Sequence, residues 1–129
     1  MTALAQRWLK FNFVGAIGIG VQLASCALYI RYAGLDYRLA TALAVETAVL
    51  HNFVWHERFT WRGLPRDGAF RRLLKFHAGN GLISIAGNVA IVSLLTGIFH
   101  IPALLANGAA IATCALANFA VSEWVVFRR

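Results

Sequence analysis

Long apolar segments alternate with short charged ones along most of the chain. The first, from Phe11 to Ile30, holds twenty residues without a formal charge. Coiled as a helix at 1.5 Å per residue, it would measure about 30 Å, the thickness of a bilayer's hydrocarbon core. The second, from Leu39 to His56, contains a single charge, Glu46, and is also long enough to span. The pattern predicts two membrane helices here.

The longest apolar segment lies between Lys75 and Glu123, where no Asp, Glu, Lys or Arg occurs. It is too long for one span, and Pro102 within His100-Ile101-Pro102 favours a turn. Helices three and four are therefore predicted on either side of that turn. Because the connection between helices one and two, residues 31–38, is also short, both pairs are predicted to be antiparallel hairpins.

Two halves of the chain repeat one pattern. Arg7-Trp8-Leu9-Lys10-Phe11, before helix one, recurs 65 residues later as Arg72-Leu73-Leu74-Lys75-Phe76. Asn52-Phe53 recurs 66 residues later as Asn118-Phe119, so the second copy holds one extra residue. Self-similarity of this kind indicates a duplicated unit.

The repeat predicts the domain organisation. A single transmembrane domain covers residues 1–129, with repeat 1 over 7–62, a cytoplasmic linker over 63–71 and repeat 2 over 72–128. Since each copy contains two spans, the copies share one orientation and form a parallel repeat. The predicted fold class is an all-α integral membrane protein of four transmembrane helices arranged as two parallel-repeat hairpins.

Composition supports the membrane interpretation. Hydrophobic residues make up 60% of the chain and charged residues 13%, whereas about a quarter of a soluble domain is charged. Twelve Lys and Arg stand against five Asp and Glu. They cluster beside the apolar segments, which favours anionic lipid headgroups as partners and argues against nucleic acid.

The positions of the basic residues predict the orientation. Two, Arg31 and Arg38, fall on one side of the predicted spans, and ten fall on the other: Arg7, Lys10, Arg58, Arg62, Arg66, Arg71, Arg72, Lys75, Arg128 and Arg129. The positive-inside rule places the richer side in the cytoplasm. We therefore expect a multi-pass protein of the inner (cytoplasmic) membrane with both termini cytoplasmic.

Two short segments at the predicted cytoplasmic surface, Thr2–Lys10 and Asp67–Lys75, alternate basic with apolar and aromatic residues at helical spacing. They predict short interfacial amphipathic helices before helices 1 and 3. Their basic residues would form charge-assisted hydrogen bonds to a lipid phosphate, or serve only topology and lipid anchoring. The candidate lipid-phosphate residues are Arg7, Lys10, Arg58, Arg72 and Lys75.

Glu46 is the one formal charge deep within an apolar segment. Such a carboxyl is costly and usually faces a partner or an aqueous cavity. It either couples to or contacts a substrate, or it is a neutral acid bonded across a helix interface. Polar residues at helical spacing on the other helices pack against neighbours or line the same path. The candidate substrate path is Glu46, Asn52, Asn88 and Asn118.

Nothing in the sequence indicates an enzyme. The four histidines and two cysteines lack metal-ligand spacing, and no Ser, His and acid set indicates a nucleophile. We therefore expect no metal and no cofactor.

The ends of the two hairpins, Asn52 to Trp61 and Asn118 to Phe127, resemble the GtrA-like family of small four-span membrane proteins. The resemblance covers essentially the whole chain. Asn52, Arg58 and Asn118 match positions of the family motif, and the motif ends carry Glu57, Trp61, Glu123 and Trp124. The resemblance implies binding and translocation of a polyprenyl-phosphate-linked sugar for cell-surface polysaccharide synthesis.

Two alternatives stay open. The chain would act as an anchor that recruits a membrane glycosyltransferase through its basic loop, since four spans and a charged face suffice for that. Glu46 also permits proton-coupled export of small cationic drugs, although such exporters carry their glutamate in the first helix. A polar face on every helix suits a homodimer interface as well as a monomer core.

Overall fold

The computed structural model describes residues 2–128, apart from the side chains of Ala103 and Leu104. Arg129, counted above among the cytoplasmic basic residues, lies outside the described residues. Within the described range the protein is helical and contains no strand. The chain divides into two compact units, Met1–Leu64 and Pro65–Arg129, and the division falls inside the predicted linker.

The first unit is a pair of helices, α1 (Ala3–Ala33) and α2 (Tyr37–Trp55). Thr2 caps the start of α1, where its hydroxyl accepts the Ala5 N–H at 3.1 Å. Gly34 ends α1 with a left-handed φ of 65°, which glycine adopts without strain. Asp36 then caps α2 by accepting the Arg38 N–H at 3.2 Å. These caps confine the connection between the helices to three residues, Gly34, Leu35 and Asp36.

The segment predicted to be a separate interfacial helix before helix 1 is continuous with α1. No proline or glycine interrupts the chain between Ala3 and Phe11, so nothing ends the helix there. The corresponding segment of the second unit likewise forms the first turns of a longer helix, which begins at Ala69 after Gly68.

Small side chains hold α1 and α2 together. Ala40, Ala44 and Ala48 recur every four residues along α2 and are 0%, 0% and 5% exposed. A stripe of small residues lets two helix backbones approach closely. The Tyr29 and Thr47 hydroxyls, 2.7 Å apart, add a hydrogen bond between the helices.

A π turn, π1 (His56–Thr60), continues α2 beyond Trp55. The Trp61 N–H donates to the His56 carbonyl at 2.7 Å and closes this turn. The chain then brings the Trp61 side chain back into the unit, where it is 2% exposed.

The second unit repeats this plan with an interrupted first helix. Its first helical run, Ala69–Ile98, comprises α3 (Ala69–Leu82), π2 (Ile83–Gly87), α4 (Asn88–Val92) and π3 (Ser93–Ile98). The break predicted at His100-Ile101-Pro102 is confirmed, since the run ends at Ile98 and α5 (Ala103–Val121) follows. Another π turn, π4 (Ser122–Val126), ends the unit.

Buried positions in α5 fall 66 residues after those in α2. Ala106, Ala110 and Cys114 are 0%, 0% and 5% exposed, as are the three alanines of α2. The offset between matching residues of the two units is 65 from Phe11 to Phe76 but 66 from Gly18 to Ser84. Gly18 lies beside Asn52, and Ser84 lies beside Asn118. Since π2 starts at Ile83, just before Ser84, the extra residue is accommodated within the helix as a π turn.

Three helices of the described chain are long and apolar enough to cross a membrane: Ala3–Ala33, Ala69–Ile98 and Leu105–Val126, with mean hydropathy 1.9, 1.9 and 1.5. The prediction of an all-helical membrane protein is confirmed to this extent. The span predicted over Leu39–His56 is not among them. Its helix, α2, carries Arg38, Glu46, His51 and Asn52, which lower its mean hydropathy.

Candidate functional site

At one end of the first unit, where α1 begins and α2 ends, a lysine side chain packs over an aromatic ring. The Lys10 ammonium lies 4.8 Å from the centre of the Phe59 ring, within range of a cation–π interaction. Arg58, next to Phe59 in π1, is exposed. Arg7 and Glu57 are half-buried, and each interacts with another group. Two cations, Lys10 and Arg58, thus come from opposite helices of the unit.

Below this cation, a cluster of three rings, Phe11, His56 and Trp61, closes the end of the unit; we call it the aromatic clasp. The Phe11 and His56 rings stack 4.9 Å apart at 9°, and Trp61 meets His56 edge-on at 5.4 Å. His56 Nδ1 and the Thr60 hydroxyl are 3.0 Å apart. Because Lys10 precedes Phe11 and Phe59 precedes Thr60, the clasp fixes the backbone on both sides of the Lys10–Phe59 contact.

The corresponding end of the second unit has different chemistry. Arg72 donates from Nη2 to the Pro65 carbonyl at 2.8 Å, which ties it to the segment leading into α3. Lys75 is exposed. The residues that match Arg58 and Phe59 are Trp124 and Val125, so the second copy of the motif carries neither the cation of Arg58 nor the ring that contacts Lys10. Phe76 and Phe127, 6.1 Å apart, form its aromatic contact.

Asn52 lies where α1 and α2 are close. A Cβ on Gly18 would come within 2.9 Å of Asn52 Cγ, so any larger residue at this crossing would have to displace the Asn52 amide. Asn52 Oδ1 lies 3.2 Å from His51 Nδ1. Neither Gly18 nor His51 was a predicted site residue. Gly18 could have been found from the repeat, because it precedes Ser84 by the same 66 residues that separate Asn52 from Asn118.

In the second unit, Asn88 and Asn118 both contact Ser84, which was not among the predicted path residues. Asn118 Nδ2 is 3.5 Å from the Ser84 hydroxyl, and Asn88 Nδ2 donates to the Ser84 carbonyl at 2.6 Å. Asn118 Oδ1 is buried and has no hydrogen-bond partner within residues 2–128. The unit therefore brings two of the predicted path residues together at π2.

Glu46 is exposed on α2 and interacts with another group. It lies away from the buried stripe of Ala44 and Ala48, whereas Asn52 continues that stripe toward α1. The first unit therefore does not bring Glu46 and Asn52 to one face. The described residues contain no cluster of His, Cys, Asp or Glu that could hold a metal ion.

Residues 10–127 match the family model described as GtrA/DPMS, transmembrane domain. A stretch of 71 residues, 55% of this chain, is 38% identical to the dolichol-phosphate mannosyltransferase of Pyrococcus furiosus. That stretch spans 20% of the relative, so the chain matches about a fifth of its length.

Proposed function

The chain belongs to the GtrA/DPMS transmembrane-domain family, and we propose that it binds a polyprenyl-phosphate-linked sugar and moves it across the cytoplasmic membrane. The observation that supports this best is the Lys10 ammonium held over the ring of Phe59, the residue that follows Arg58 in the chain. The family match and a relative named for dolichol phosphate supply the class of ligand. On this proposal the translocated lipid-linked sugar is used in cell-surface glycan synthesis, and the chain itself catalyses no glycosyl transfer.

Four spans are part of the proposal. Although α2 falls short in hydropathy, it packs along α1, which is one of the candidate spans. A helix packed along a spanning helix lies at the same depth, with its backbone groups satisfied internally. With two antiparallel pairs, both termini would lie on one side of the membrane, and the excess of basic residues on that side supports the cytoplasm.

The length of α1 supports a basic surface at the headgroups. Its 31 residues measure about 46 Å, some 15 Å more than a hydrocarbon core. Since the charge-free part begins at Phe11, most of the excess lies at the N-terminal end with Arg7 and Lys10. An ammonium over a ring still has donors for an anion, and charge-assisted bonds to phosphate are the strong ones.

The prenyl tail of such a lipid remains in the bilayer while its sugar needs polar partners within the protein. Asn88 and Asn118 meet at Ser84 and offer amide and hydroxyl groups. Asn52, the matching amide of the first unit, lies against Gly18 and His51. Glu46, on a different face of α2 from Asn52, remains a proposed carboxyl contact for the sugar.

Lys10→Ala and Lys75→Ala are each expected to weaken binding of polyprenyl phosphate about tenfold, because each removes a charge-assisted hydrogen bond worth about 1.5 kcal/mol. The measurement is tryptophan fluorescence titration of purified protein in nanodiscs of neutral lipid. Arg31→Ala, at the other end of α1, is the matched control and should change affinity less than twofold. Binding that survives both lysine substitutions unchanged would exclude this phosphate site.

A second function is favoured by one observation. The matching stretch makes up a fifth of a protein named as a mannosyltransferase, which suits a membrane anchor that recruits a separate glycosyltransferase. Loss of a transferase from membranes when the chain is deleted, without any binding of polyprenyl phosphate by the purified protein, would favour the anchor over the carrier.

A further inference from the structure

The amide of Asn118 is half satisfied inside the second unit. Its nitrogen lies 3.5 Å from the Ser84 hydroxyl, while its buried oxygen has no partner in the part of the chain that the structure describes. Buried polar groups are nearly always hydrogen-bonded, and an unmatched one is costly. A group that persists in this state calls for a partner that comes from elsewhere.

The first unit solves the same problem internally. Asn52 occupies the matching position, and its oxygen lies 3.2 Å from Nδ1 of the preceding residue, His51. The residue before Asn118 is Ala117, which has no side-chain donor. The two copies of the motif therefore differ in one group: the first carries its own partner for the amide oxygen and the second does not.

The surroundings of Asn118 favour a neutral partner. Ser84, Asn88 and Cys114 are uncharged, and Asn88 already donates to the Ser84 carbonyl at 2.6 Å. Cys114 Sγ lies 3.6 Å from the Ile83 carbonyl. A hydroxyl group both donates and accepts, so it matches an amide and a serine side by side. A phosphate would instead require cations.

The position along the helix separates this place from the basic end of the unit. Ser84 lies nine residues beyond Lys75, about 13 Å along the helix axis. The Ser84 position is therefore separate from the basic end of the helix, where a phosphate would bind.

We propose that Asn118 and Ser84, at the π turn of the second unit, form a binding site for a hydroxyl group of a neutral sugar, and that Asn52 is a packing residue without this role. This deepens the proposed function, on which it rests for the identity of the ligand. It assigns the two copies of the Asn-Phe motif to different tasks.

The test uses nanodiscs holding the full chain with its six asparagines labelled on the side-chain nitrogen. Decyl mannoside, which presents a sugar without phosphate, is titrated while the side-chain amide signals are followed by NMR. The Asn118 signal is expected to move and saturate, and the Asn52 signal to stay in place. Decyl phosphate, the matched amphiphile without a sugar, is expected to leave Asn118 unchanged.

Ala117→His gives the second unit the donor that His51 supplies in the first, and it is expected to weaken the mannoside response of Asn118 about threefold to tenfold. A double variant, Ser84→Ala with Asn118→Leu, removes the polar pair together and should abolish protection of the protein by decyl mannoside against thermal unfolding. An Asn118 signal that ignores the mannoside, or that moves equally with decyl phosphate, overturns the proposal. An equal response of Asn52 overturns it as well, because the mannoside would then act on both asparagines and not at a specific site beside Asn118.

Failure of this site is distinguishable from failure of the proposed function. The mannoside carries no phosphate, so its effect on Asn118 does not depend on Lys10 or Lys75. Loss of polyprenyl-phosphate binding would count against the carrier while leaving a sugar-responsive Asn118 in place.

Discussion

Trp61→Ala is expected to lower the free energy of unfolding by about 4 kcal/mol, the largest effect of any single substitution considered for this protein. Trp61 is 2% exposed, and its ring meets both Phe11 and His56 in the aromatic clasp. Removing it leaves a cavity where π1 returns onto α1. Loss of the clasp also frees Lys10 and Phe59, so weaker lipid binding should accompany the loss of stability.

The measurement is the midpoint of unfolding in detergent on addition of a denaturing surfactant. Trp124→Ala is the matched control, since the same residue type is 59% exposed there; its effect should stay within about 0.5 kcal/mol. Equal effects at the two tryptophans would mean that the clasp does not stabilise the first unit.

Gly18→Leu is expected to lower the free energy of unfolding by about 3 kcal/mol, because overpacking a close contact forces the helices or side chains to shift. A Cβ at this position would lie 2.7 Å from Asn52 Nδ2 and 2.9 Å from Asn52 Cγ. The amide would have to move, and its contact with His51 would be lost. Thermal unfolding in detergent measures the change.

Gly15→Leu and Gly20→Leu are controls on the same helix, because nothing lies within 4 Å of a Cβ at either position. Both should stay within about 1 kcal/mol of the parent. Adding Asn52→Ala to Gly18→Leu removes the obstructing amide, so the leucine should then cost less than in the parent. A cost that is independent of residue 52 would contradict the crossing at Gly18.

Hydrophobic pattern predicted the helices of this protein well because long uncharged segments leave few alternatives. The break at Pro102 was predicted because the uncharged segment is too long for one span and proline favours a turn. The four π turns were not, since a π turn changes the hydrogen bonding of the backbone without changing which residues are apolar. The interfacial segments were predicted as separate helices because basic residues alternate with apolar and aromatic ones there, but an amphipathic pattern does not by itself end a helix.

The candidate site was predicted in part. The repeated motif singled out Asn52 and Asn118, and the structure shows Asn52 beside Gly18 and Asn118 beside Ser84, at matching positions of the two units. The two asparagines differ in the hydrogen bonding of their amide oxygens, because His51 precedes Asn52 whereas Ala117 precedes Asn118. The sequence shows the two preceding residues, but only the structure shows that His51 contacts the amide oxygen. Lys10 was predicted from its charge, whereas Phe59 as its partner required the return of the chain through π1. The face occupied by Glu46 also required the structure.

Protein-dependent transfer of a lipid-linked sugar tests the central claim most directly. Purified protein is placed in liposomes with labelled polyprenyl-phosphate mannose, and the label that becomes accessible to a reagent on the opposite side is followed over time. The carrier proposal predicts rapid transfer by the parent and by Arg31→Ala. Transfer by Lys75→Ala and by Glu46→Gln is expected to be about tenfold slower, which corresponds to an activation free energy higher by about 1.4 kcal/mol. Full transfer by both of the latter variants, or none above empty liposomes by the parent, would contradict it.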